Sequence, residues 1–146
     1  MHLFHWPIII SILCSSITFH SCSRSYDSKN TVTGCNLVFL QSYAGKYPAD
    51  VGLFENMLFK QRLYNLLGKT RFNFLSETWA VETPMEISEN TFVAEGCQAH
   101  NCGFTNFIIV VDFSTNVMYA GIREYSSVEI FSEDTTVSQK IKIWAK

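Results

Sequence analysis

Ten consecutive residues set the tightest limit on how this chain can fold. From Phe104 to Phe113 the sequence places Phe107, Ile109, Val111 and Phe113 on one side of an extended strand and Ile108 and Val110 on the other. A strand that is apolar on both sides must be covered on both sides, so it reads as the centre of a sheet. The flanking sequence supplies the partners. Asp50 is placed to cap a helix through Leu53, Phe54, Met57, Leu58, Leu63, Tyr64 and Leu67, apolar at spacings near three and four, with Gly68 where such a helix ends. A shorter helical turn is expected over Arg71 to Ser76. Trp79 to Glu82 and Met85 to Ser88 flank Pro84 and read as edge strands, because a central ladder does not tolerate proline. Glu89-Asn90 makes a turn into a strand from Thr91 to Glu95. Ser114-Thr115-Asn116 turns the chain into a strand from Val117 to Arg123, and Val128 to Phe131 adds another. Asp134 is placed to cap a terminal helix whose stripe is Val137, Ile141 and Trp144. The expectation is an α+β fold: an antiparallel sheet of about five strands, with N-terminal helices and a C-terminal helix packed on it.

With 146 residues, 47% of them hydrophobic and 14% aromatic, the chain can build one real core and is not a disordered one. A formal net charge of −2 gives no basic excess for a phosphate backbone, so no nucleic-acid partner is expected. Met1 to Ser23 contain no Asp, Glu, Lys or Arg and hold the apolar run Ile8 to Cys14, too short to span a membrane. Residues 1–22 therefore read as a secretory signal peptide. Ser21-Cys22 resembles the end of a bacterial lipobox, which makes Cys22 a candidate for lipidation. Residues 23–47 are then a tether and N-terminal segment, and residues 48–146 the folded domain. The expected location is the periplasm or the outer membrane, with membrane contact only through a lipid anchor.

Export lets disulfides persist. If Cys14 leaves with the signal, Cys22, Cys35, Cys97 and Cys102 permit three complete pairings. Cys97 and Cys102 are five positions apart and each lies beside a glycine, so this bridge is the expected one. It would close a turn between two paired strands. Cys35 is left unpaired if Cys22 carries lipid; otherwise a Cys22–Cys35 bridge is open to it. His100 sits inside that turn and is the sole histidine of the processed chain, because His2, His5 and His20 precede the cleavage point. One histidine cannot build a zinc site of two or three, no G-x-S-x-G elbow accompanies it, and a Cys-x-x-Cys redox pair is lacking. No catalytic residue, cofactor or metal is expected. The loop lies in an acidic stretch: Phe72 to Ile122 carry Glu77, Glu82, Glu86, Glu89, Glu95 and Asp112 with no Lys or Arg, a field that suits a cationic partner.

Gly96 to Gly103, with the pattern Cys-x-x-His-x-Cys-Gly, leads into Phe104 to Phe113 and then Asn116-Val117-Met118-Tyr119-Ala120-Gly121. Over roughly residues 48 to 131 this resembles the inhibitor of vertebrate lysozyme (Ivy) family. The resemblance implies a bacterial inhibitor, not an enzyme, whose partner is a cationic, host-derived c-type lysozyme. It implies that the loop of Cys97, Gln98, Ala99, His100, Asn101 and Cys102 enters the active-site cleft, where His100 meets the catalytic glutamic acid and aspartate. In that family the loop commonly reads Cys-Lys-Pro-His-Asp-Cys, so Gln98, Ala99 and Asn101 depart from it. Two other readings stand beside this one: an envelope lipoprotein or binding module with a different target on the same scaffold, and a small redox or metal-handling protein using Cys97, Cys102 and His100. The sequence leaves homodimerisation open.

Overall fold

The computed structural model describes residues 36–146. The signal segment, Cys22 and Cys35 lie outside the described residues. A short 3-10 segment, Val38–Tyr43, is followed by a second, Ala49–Val51, and then by helix α1, Met57–Thr78. Strands β1 (Val81–Glu82), β2 (Glu86–Ser88), β3 (Thr91–Cys97), β4 (Thr105–Asp112), β5 (Val117–Glu124) and β6 (Ser127–Ser132) come next, and helix α2, Gln139–Trp144, ends the chain. All strand pairs are antiparallel, in the order β1-β3-β4-β5-β6, with β2 also on the outer edge of β3. The fold is α+β, as expected, with six strands where about five were expected, β1 and β2 lying on either side of Pro84.

The apolar run of β4 is buried on both sides. Phe107, Ile109 and Val111 join Phe92, Ala94, Met118, Ala120 and Ile122 beneath α1, whose Phe59, Leu63, Leu67, Phe72 and Leu75 face them. On the other side Ile108 and Val110 join Val93 and Tyr119 beneath Ile141 and Trp144 of α2. Each such side chain contributes about 1.5–3 kcal/mol of burial free energy, so covering both faces drives the three-layer arrangement. Leu37 and Leu40 are also fully buried in the larger cluster, so the first 3-10 segment packs on the core.

The helix caps lie elsewhere than the sequence suggested. Asn56, not Asp50, caps α1, its side-chain oxygen accepting from Leu58 N and Phe59 N at 3.1 Å each, while Asp50 sits in the second 3-10 segment. Gly68, at φ 71° and ψ 167°, leaves helical geometry, a conformation open to glycine, so α1 is two helical arms meeting at a kink: the first stops at Gly68 as the spacing suggests, and the expected turn over Arg71 to Ser76 lies in the second. Ser138, not Asp134, caps α2. The Asp134 carboxylate accepts from Thr136 in a turn before the helix, so Val137 falls outside it. Both misplacements have one cause: several Asx and Ser residues precede each helix, and packing selects which turn becomes helical.

Arg62 of α1 lies buried and donates to both Glu133 carboxylate oxygens, at 2.7 and 2.6 Å, and to Asn116 Oδ1 at 2.7 Å. Glu133 also accepts from Met118 N. Arg71, beyond the kink, pairs with Glu124 and Glu129. Two arginines thus fasten α1 to both ends of the β5–β6 hairpin.

Candidate functional site

The loop that carries His100 is the connection between β3 and β4. The register runs without a slip to Cys97 opposite Asn106, so the strands deliver the two cysteines to one end of the sheet. Cys97 and Cys102 are bridged across a Cα–Cα distance of 4.9 Å. A closed loop this short is worth roughly 2 kcal/mol of chain entropy, so the bridge does more for the shape of the loop than for the fold.

Inside the bridge, Asn101 N donates to Gln98 O at 3.0 Å, enclosing Ala99 and His100 in a four-residue turn. His100 has φ 61°, the left-handed conformation that the third position of a type II turn demands. Histidine is among the few non-glycine residues enriched there. Its side chain is exposed, as are Gln98 and Ala99. The imidazole therefore stands at the tip of a covalently closed hairpin.

Asn101 organises the base of that tip. Its side-chain amide donates to Gln98 Oε1 at 2.8 Å and to Thr105 Oγ1 at 3.1 Å, and its carbonyl accepts from Phe104 N and Thr105 N. Thr105, only 2% exposed, gives this network a buried footing. Gln98 N returns a bond to Thr105 O, and Asn106 Nδ2 donates to Cys102 O at 2.9 Å. The departures Gln98 and Asn101 thus pair with one another. An aspartate at position 101 could not donate to Thr105 Oγ1 and to Gln98 Oε1 as this amide does, and would have to accept from both.

The roles of Thr105 and Asn106 were not visible in the sequence, where both read as ordinary strand polar residues. Phe104 likewise reads as the first residue of the strand, yet β4 begins at Thr105 and the Phe104 ring is in water.

Electrostatics follow the topology. Glu95 is exposed on β3 two residues before the bridge, and Glu82 on β1, opposite Gly96, is half-buried and accepts from Ala49 N; Glu86, opposite Val93, and Glu89, in the turn before β3, are exposed farther from the loop, so the acidic stretch of the sequence is spread along the sheet edge. Partial burial, with the Glu86 carboxylate adding to it, pushes the Glu95 carboxyl above its ordinary value of 4.5; Lys140 opposes this more weakly. Among the described residues no group of three or more His, Cys, Asp and Glu could hold a metal ion, and no helix is long and apolar enough to cross a membrane. The two described cysteines are bonded to each other, so neither offers a thiolate in this form.

A family model described as inhibitor of vertebrate lysozyme (Ivy) matches residues 59–146, which takes in α1, the whole sheet, the bridged loop and α2. No curated protein and no solved structure matches the chain.

Proposed function

The chain belongs to the inhibitor of vertebrate lysozyme (Ivy) family, and from that premise we propose that it is exported and stops a c-type lysozyme by seating the Cys97–Cys102 loop in the active-site cleft. The observation that carries this reading is the exposed His100 at the tip of a bridged turn. In a retaining glycosidase such as lysozyme the two catalytic carboxyls lie roughly 5–5.5 Å apart. An imidazolium carries two N–H donors on a compact ring and can address both carboxylates with charge-assisted hydrogen bonds. The loop fills the place of the sugar and the water. Glu82 and Glu95, the two carboxylates of the acidic stretch that the register puts nearest the loop, favour the approach of a cationic enzyme.

The hydrogen bonds from Asn101 and the disulfide spare the loop most of the ordering cost of binding, about 0.5–1.5 kcal/mol for each side chain otherwise immobilised. Gln98, Ala99 and Asn101 form the rim that contacts the cleft walls, and tune which lysozyme is held best. Cys22 is the point of lipid attachment in this reading, with the domain held in the periplasm or at the outer membrane. Mass spectrometry of the mature N-terminus checks the anchor.

A lysozyme activity assay with the purified protein tests the proposal. His100→Ala is expected to weaken inhibition by about 2 kcal/mol or more, roughly 30-fold, as a central hot spot does. Unchanged potency of that variant would remove the loop from the mechanism.

A further inference from the structure

The loop alone is too small to hold a partner. A specific interface covers about 800 Å² on each partner, with some 20–30 residues a side, and a six-residue tip supplies a minor part of that. Whatever seats on His100 must also cover its neighbours at the same end of the sheet. The antiparallel register fixes which these are: the start of β4, the end of β5 and the start of β6 lie beside the end of β3.

Two aromatic rings stand there in water. Phe104 is 59% exposed and Tyr125 66% exposed, and they lie against each other with centroids 6.0 Å apart. Both are tied to the bridged loop through the backbone. Phe104 N donates to Asn101 O at 3.0 Å, and Tyr125 N donates to Phe104 O at 2.7 Å. Tyr125 takes φ 55° in the tight turn between Glu124 and Ser127, a strained conformation for a bulky residue. The ion pairs of Arg71 with Glu124 and Glu129 hold that turn from below. A fold that keeps two large apolar rings in water, one of them on a strained backbone, gains nothing in its own stability from their display. Arg123 and Lys146 border the hollow beside them.

We propose that Phe104 and Tyr125 form a second anchor, which packs on the wall of the lysozyme sugar groove while His100 occupies its centre; this rests on the reading of the loop as the inhibitory element. The chemistry fits. Ligand clefts are lined mainly by apolar and aromatic side chains with few polar groups, and rigid aromatic rings are the side chains most often found as binding anchors. The pair is continuous with the loop instead of forming a separate patch, because Phe104 N bonds Asn101 O and Tyr125 N bonds Phe104 O.

Calorimetric titration of egg-white lysozyme into the purified protein tests this, with wild type, His100→Ala, Phe104→Ala and Tyr125→Asn compared and each variant's Tm recorded. Asparagine is chosen because it accepts the left-handed backbone. Phe104→Ala and Tyr125→Asn are each expected to raise Kd about tenfold with Tm unchanged, as loss of an exposed anchor should. If both bind within about twofold of wild type while His100→Ala is impaired, the second anchor is overturned and the loop reading stands. If the wild-type protein binds no lysozyme, both fall together. If a variant loses Tm along with affinity, the other variant decides.

Discussion

Gly96 shows how closely one atom can bind the site to the core. A Cβ at Gly96 would lie 2.1 Å from the Trp79 ring, which is stacked on Phe107 at 5.7 Å and edged by Phe54, so the indole has nowhere to move. Gly96 immediately precedes Cys97, and displacing Trp79 would tilt the strand that carries the loop. Gly96→Ala is expected to cost about 1–3 kcal/mol, in line with other overpacked sites. Each kcal/mol should appear as a fall of roughly 4–8 °C in Tm. Thermal unfolding followed by near-ultraviolet dichroism of the tryptophans checks it; an unchanged melt would show that the indole is free to shift.

At the scale of the element, the β3–β4 hairpin is a turn of type II pattern closed by a covalent bond. Ala99 stands at its second position, which proline fills well because the ring fixes φ near −65°. In the described structure the Ala99 backbone N–H makes no backbone hydrogen bond that a proline would remove. Ala99→Pro is therefore expected to raise stability by about 0.4–1 kcal/mol, chiefly by restricting the unfolded chain. If the loop is the inhibitory element, the same variant should inhibit at least as well as wild type. Chemical denaturation and an inhibition series measure the two effects separately. A destabilised Ala99→Pro would mean that the turn has a different backbone from the one described.

Across the whole molecule, stability depends on how α1, the sheet and α2 meet, and two carboxyls give that dependence opposite signs with pH. The Glu95 carboxyl, raised by partial burial and by Glu86, holds its proton more tightly folded than unfolded. Its ionisation opposes folding at neutral pH, and the opposition fades as pH falls through the raised value toward 4.5. Asp134, lowered chiefly by the hydrogen bond from the Thr136 side chain, contributes stability that is present above 3.8 and is lost as pH drops below it. Glu95→Gln should thus raise Tm at pH 7 by a few degrees at most, because the side chain is well exposed, with the gain vanishing near pH 4. Melting curves of both proteins across that range decide it; a gain that persists in acid would assign the effect to packing instead of charge.

Alternation and spacing by themselves determined the antiparallel sheet, the central place of Phe107 to Val111, the Cys97–Cys102 pair and His100 as the single histidine of residues 36–146. These follow from local rules: a side-chain period of two, glycines flanking two near cysteines, and a residue count. What needed the tertiary structure were choices among local equals. Asn56 and Asp50 are both fit to cap a helix, as are Ser138 and Asp134, and only the docking of α1 and α2 selects between them. Nothing in the order of residues says that Phe104 leaves the strand for water, that it meets Tyr125 twenty-one positions later, or that Asn101 reaches Thr105. Those relations exist only once β3, β4, β5 and β6 stand side by side, because hydrogen-bonded strands bring together residues that the chain itself keeps apart.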